Sequence, residues 1–326
     1  MRIAGLVALA STMLLGLANM PLKAQATTGE TPSANLQTTP EWQIVASGHM
    51  AFEVASIRPG DPGKFIYPTI DLSIEDTPIP SGGYFKADFP LPVYIEFAYK
   101  TMLTPKQEQA MVANLPKWVG AQPFVIEAKA PTANATKDQV RLMMQSLLAD
   151  RFKLAVHFET QERPVLALVP DRPGKLGSRL RPHVLGLACD AKWSAPPDRT
   201  SLSVPPGEFV PICGAFQAMD VADNTILFGA RNVTMPSIAG NLSIIPPVAE
   251  FGRSVVDQTG LADTYDFSLN WLPDRSGNPS GTTAPMDAQG PSFEVALKDQ
   301  LGLKLKPTNA SIQVLVIDHV EQPSPN

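Results

Sequence analysis

Hydrophobic positions along the chain recur at two spacings, and the spacings predict where helices and strands lie. Leu91, Tyr94, Ile95, Ala98, Tyr99 and Met102 are spaced as one helical face, with Pro92 tolerated in the first turn. Thr136 and Gln139 form a capping-box pattern ahead of the stripe Val140, Met143, Met144, Leu147 and Leu148. Met235, Ile238, Ala239 and Leu242 make a shorter stripe after Thr234. A fourth stripe, Phe293, Ala296, Leu297 and Leu301, runs from Ser292 as N-cap to Gly302 as stop. Between the helices the period drops to two. Phe124–Ala128, Leu154–Phe158 and Tyr265–Trp271 alternate apolar with polar and read as strands with one buried face. Phe52–Ile57 and Gly83–Phe89 are shorter strand patterns. Pro164–Val169 and Ile312–Ile317 are nearly continuous apolar runs, which predict central strands.

One constant offset relates the two halves without a gap. It places Leu148, Asp150, Leu154, Val156, Val165, Leu166 and Leu168 on Leu297, Asp299, Leu303, Leu305, Val314, Leu315 and Ile317. Upstream, Phe124–Ala128 corresponds to Tyr265–Leu269. The reading is an α+β fold of two related β-α-β-β modules, with helices on small, mainly antiparallel sheets. It divides the chain into a leader peptide at 1–26, a flexible polar lead at 27–50, a first half at 51–181, a Pro-rich connector at 182–213 and a second half at 214–322.

Residues 1–26 carry Arg2, an uncharged apolar stretch from Ile3 to Ala18, and the cleavage pattern Ala24-Gln25-Ala26. The expectation is export to the periplasm or the extracellular space, with no transmembrane segment in the mature chain. In an oxidising compartment Cys189 and Cys213, the two cysteines present, are expected to close one disulfide. Such a bridge would staple the connector by about 3 kcal/mol.

Composition then narrows the function. The formal net charge is −5, charged residues make up 17% and hydrophobic residues 44%. There is no cationic excess to neutralise nucleic-acid phosphates, and enough apolar content to build a core. The 33 prolines collect in the lead, the 59–80 loop, the connector and the 273–291 stretch, so they mark joints between compact units.

Chemistry is sparse. His49, His157, His183 and His319 show no H-x-H or H-E-x-x-H spacing, so no metal site is expected, and no cofactor motif is present. Asp318-His319 at a strand end could supply the acid and base of a triad, but no G-x-S-x-G elbow accompanies it. His157 reads as a surface imidazole, and Asp257-Gln258-Thr259-Gly260 as a turn.

Several blocks taken together resemble a known family. They are Phe52-Glu53-Val54-Ala55-Ser56-Ile57-Arg58-Pro59, Leu147-Leu148-Ala149-Asp150-Arg151-Phe152-Lys153-Leu154, Val255-Val256-Asp257-Gln258-Thr259-Gly260-Leu261, Gln300-Leu301-Gly302-Leu303-Lys304-Leu305 and Val316-Ile317-Asp318-His319-Val320. Over residues 50–322 they are similar to the "soil-associated protein" family of exported bacterial domains. That resemblance implies a domain of unknown function and brings no catalytic residues. Each half also resembles, in element order, the small N-terminal modules of secretins and TonB-dependent receptors, which bind other envelope proteins. The leading expectation is a non-enzymatic envelope module that binds a protein or a small ligand. The alternatives are a hydrolase using Asp318 and His319, and a purely structural secreted protein.

Overall fold

The computed structural model describes residues 40–46, 50–61, 63–64, 66–76, 81–184, 209–210, 213–220, 225–273 and 290–323. The leader peptide, most of the polar lead and of the connector, Cys189, His49 and residues 274–289 lie outside the described residues. The stapled connector, which needs Cys189, is therefore not part of the fold described.

The described chain is α+β. After a short helix α1 (Glu41–Val45) come strands β1 (Val54–Pro59) and β2 (Tyr84–Pro90), then helices α2 (Leu91–Tyr99), α3 (Pro105–Val112) and α4 (Trp118–Ala121). Strand β3 (Pro123–Lys129), helix α5 (Lys137–Arg151) and strand β4 (Ala155–Pro170) complete the first half. The second half has β5 (Leu180–Pro182), β6 (Gln217–Asp220), β7 (Ile226–Thr234), α6 (Met235–Leu242), β8 (Val255–Asp257), β9 (Thr264–Trp271), α7 (Phe293–Ala296) and β10 (Leu303–His319).

Both halves follow one order: strand, strand, helix, strand, helix, strand. The first half adds α3 and α4, and the second adds β6 and β8, so each is longer than the β-α-β-β unit read from the sequence. Their sheets correspond too. One has the order β1-β3-β2, the other β5-β9-β7-β6. Pro90 opposite Pro123 leads into α2, and Thr234 opposite Thr264 leads into α6, each helix carrying Pro in its first turn. Phe124–Ala128 and Tyr265–Leu269 are the middle strands of their sheets, as their sequence correspondence predicts.

The helix ends are set by local chemistry. Thr136 accepts from the Gln139 N–H while the Gln139 side chain accepts from the Thr136 N–H, closing the expected box. Thr104 and Gln107 do the same for α3. Ser292 caps α7, whose last turn widens into a π turn at Leu297–Leu301 and stops at Gly302, with φ +72°. The corresponding residue after α5 is Lys153, with φ +50°. Gly302 is constrained by space as well, since a Cβ there would meet the Gly177 nitrogen at 2.7 Å and the Lys175 carbonyl at 2.8 Å.

The largest departure from the sequence reading is at β4 and β10. Leu154–Phe158 and Pro164–Val169 are one continuous strand, and Ile312–Ile317 is the end of another. The two pair antiparallel along their whole length, from Leu303 opposite Pro170 to His319 opposite Ala155. β8 adds to β4 in parallel at Leu166–Leu168 alone. β10 is thus an edge strand rather than a central one.

This ribbon exchanges material between two cores. The first core gathers Phe85, Tyr94, Phe97, Ile126, Met143 and Phe152, and is completed by Leu315 from the end of β10. The second gathers Phe228, Ile238, Phe267, Trp271, Phe293 and Leu301, and takes Leu166 and Leu168 from the end of β4. Between the cores, residues around Glu162 and Ser311 form a two-stranded stretch with mostly exposed or half-exposed side chains. No helix among the described residues is long and apolar enough to cross a membrane.

Candidate functional site

The pair singled out from the sequence, Asp318 and His319, sits where β10 ends, across a bulge between Ile317 and His319. The two side chains turn to different partners. The Asp318 carboxylate lies 2.9 Å from Nδ1 of His157 on β4, and Nε2 of His157 lies 3.1 Å from Glu159. His319 faces outward, 55% exposed, with Nε2 2.9 Å from Glu321. The exposed strand end therefore carries two separate groups, His157 with Asp318 and Glu159 and His319 with Glu321, instead of one acid and base in line. Hydrogen bonds that the His157 ring donates to Asp318 and then to Glu159 raise its pKa above the ordinary 6.5.

A larger charged cluster joins loop 70–76 to the start of α5. The Arg141 guanidinium is fully buried and pairs with Asp76 at 2.7 Å and with Asp138. It also donates to the carbonyls of Ser73 and Glu75, both at 3.0 Å. Lys137, equally buried, reaches Asp71 at 3.3 Å and the Ser73 hydroxyl at 3.0 Å. Lys100 reaches Asp76 at 2.8 Å. Burial would raise the Asp76 pKa, but Lys100 and Arg141 outweigh it and hold the carboxyl below the usual range. Burial lowers the Lys137 ammonium, against the pull of Asp71. The buried Glu75 accepts from Asn241 Nδ2 of α6 at 2.7 Å, which ties the cluster to the second half. Gln107 to Ser254, at 2.9 Å, is a second tie. This set acts as a clamp that pins loop 70–76 and links the halves.

Two further acids, one fully buried and one half-buried, were not among the residues picked out from the sequence. Asp266, read there as the solvent side of a one-face-buried strand, is fully buried in β9. It lies 2.6 Å from Nδ1 of His183 and accepts from the Asn232 N–H, with Arg231 and Arg181 3.5 and 3.6 Å from its other oxygen. Glu96 of α2 accepts from the Leu103 N–H at 3.2 Å, and burial pushes its pKa up to about 7. Among the described residues no group of three or more His, Cys, Asp or Glu could hold a metal ion.

A further feature is the outer edge of β10. Its backbone pairs with β4 on one side, and the strand order leaves the other side at the sheet margin. From Pro307 to Ile317 no side chain is charged. Edge strands are ordinarily guarded by charge, proline or bulges. Here Pro307 and the bulge after Ile317 lie at the two ends, and among the described residues no strand pairs with the outer edge of the span between them.

The fold and this edge define an α+β protein of two linked, topologically matching halves with an open strand margin. The chain belongs to the family described as "Protein of unknown function (DUF3738)", whose signature matches residues 93–320. No curated protein and no solved structure matches it.

Proposed function

We propose that this chain is an exported, non-enzymatic binding module of the bacterial cell envelope that takes protein partners by strand addition along β10. The observation that carries this reading is the long, uncharged outer edge of β10. A free ladder of backbone donors and acceptors is what an incoming extended segment requires. The leader pattern at 1–26 and the kinship suggested by the "soil-associated" blocks support an envelope address. In that compartment Cys189 and Cys213 would close the connector. The duplicated units would be 51–181 and 214–322, joined through 182–213, with β5 (Leu180–Pro182) at the boundary adding to the sheet of the second unit.

Site-specific photo-crosslinking tests this. A crosslinker at Gln313, on the open margin, should give discrete protein adducts in a native envelope fraction, and one at the exposed Lys64 should not. No adduct from position 313, or the same adducts from both positions, would overturn the reading.

A further inference from the structure

We infer that the partner taken up by β10 is a second copy of this chain, its own β10 lying antiparallel about an axis at Ile312. This rests on the strand-addition reading above and names its occupant. The argument is self-complementarity. Along the free span, Thr308, Ala310, Ile312, Val314 and Val316 are half-buried, while Asn309, Ser311 and Gln313 on the opposite face are exposed. Antiparallel pairing centred on Ile312 sets Thr308 opposite Val316 of the second copy, Ala310 opposite its Val314, and Ile312 opposite its Ile312. The half-buried faces then continue across the junction, as cross-strand pairing requires. The other face sets Ser311 opposite Gln313, polar against polar, and Asn309 opposite Leu315, whose side chain is turned into the first core.

The ends agree with the middle. The same register puts Lys306 opposite Asp318 of the second copy, twice by symmetry, and brings Lys304 near Glu321. Lys306 is exposed, and Asp318 is 46% exposed and bonded on one side by His157, so both can take a further partner. Pro307 falls opposite Ile317, where the strand bulges, so pairing ends where both copies are guarded. An unrelated extended segment would need no such match of face and charge within β10 itself. The product is a four-stranded antiparallel sheet, β4-β10-β10-β4, in place of an exposed two-stranded ribbon, which is a marginal structure alone.

Light scattering on size-exclusion fractions and sedimentation of the purified chain at rising concentration provide the test. A monomer–dimer equilibrium is expected. Lys306→Glu and Asp318→Lys should each weaken it by about tenfold or more, and the double swap should restore it, because symmetry recreates both pairs. Ile312→Lys sets like charges on the axis and should leave a folded monomer by circular dichroism. A chain that stays monomeric at every concentration overturns self-pairing. So does a dimer indifferent to both charge reversals and to Ile312→Lys. If the chain is monomeric while position 313 still captures a different protein, the second copy is excluded and strand addition stands. If position 313 captures nothing, both fail.

Discussion

Ser311 of β10 lies directly opposite Glu162 of β4 and donates its hydroxyl hydrogen to the Glu162 carboxylate; the two are 149 residues apart. That separation is also the offset that relates the halves. The two residues are therefore the same position of the two halves, and the local two-fold axis of the ribbon passes between them. Beyond this point Leu166 and Leu168 of β4 belong with the second core, and Leu315 and Ile317 of β10 with the first.

This crossing can be read by mutation. Leu166 and Leu315 are equivalent positions, 6% and 5% exposed, each in the core of the opposite half. Leu315→Ala should cost about 2–5 kcal/mol. Amide exchange should show the loss in β1–β3 and α5, although Leu315 comes from the second half. Leu166→Ala should loosen β7, β9 and α6 instead. Protection lost in the mutated residue's own half of the sequence would contradict the exchange.

The left-handed residues after α5 and α7 give an asymmetric pair. Lys153 adopts φ +50° with a side chain, at a steric cost glycine does not carry. Lys153→Gly should raise stability by about 1 kcal/mol. Gly302→Ala should lower it by more, since its Cβ would clash with backbone at 2.7 and 2.8 Å. Chemical denaturation midpoints would check both signs.

Removing the Arg141 guanidinium leaves the Ser73 and Glu75 carbonyls without that donor, and Asp76 and Asp138 with Lys100 alone. Arg141→Met should destabilise by about 3–5 kcal/mol. Arg141→Lys should recover only part of this, because one ammonium cannot replace the two-nitrogen fork that bonds acids and carbonyls together. Equal stability of Arg141→Met and the wild type would rule out the clamp.

Glu96 sets a pH dependence of definite sign. Burial raises its folded pKa from 4.5 to about 7, so the folded state holds the proton more tightly than the unfolded state. Glu96 accordingly makes stability fall as pH rises from about 4.5 to about 7, and its penalty is constant above that. Glu96→Gln keeps an acceptor for the Leu103 N–H and should flatten this part of the profile. Denaturation of both proteins across that window decides it; parallel curves would refute the assignment.

His157 should titrate above 6.5 by NMR, and Asp318→Asn should move it back down, because Asp318 is the larger cause of its raised pKa. The slope has the same sign as at Glu96, since both folded pKa values are raised and stability falls as pH rises; here it is a favourable contact that is lost. The His157 contribution is full below the ordinary pKa and is lost as pH rises through the folded one. An unchanged His157 titration in Asp318→Asn would show that the contact does not form in solution.

Helix existence was legible because stripes and caps are local. Thr136 with Gln139, Ser292, and Gly302 act within a turn or two of themselves. The same kind of signal at Thr104, Pro105 and Gln107 was open to reading and marks α3. The exchange of β4 and β10 was not legible. Alternation says that Leu166 and Leu315 are buried, but not in which core. The ribbon itself broke the pattern at Glu162–Pro164, where neither face is covered, so one strand read as two. The clamp was hidden for another reason: Arg141 meets Asp76 across 65 residues, and on α5 it resembles any polar-face arginine. Asp266 misled because strand alternation marks a polar face as solvent, whereas His183, Arg231 and Asn232 cover that face.

The exchange also orders the chain in time. Leu315, Ile317 and Val320 are synthesised after every other residue of the first core, and they complete or pack against it. A nascent chain that has not yet reached β10 carries that core unsealed, and it stays so until β10 is made. A stop codon within β10 would therefore do its damage in the first half, in sheets and helices whose own sequence is intact.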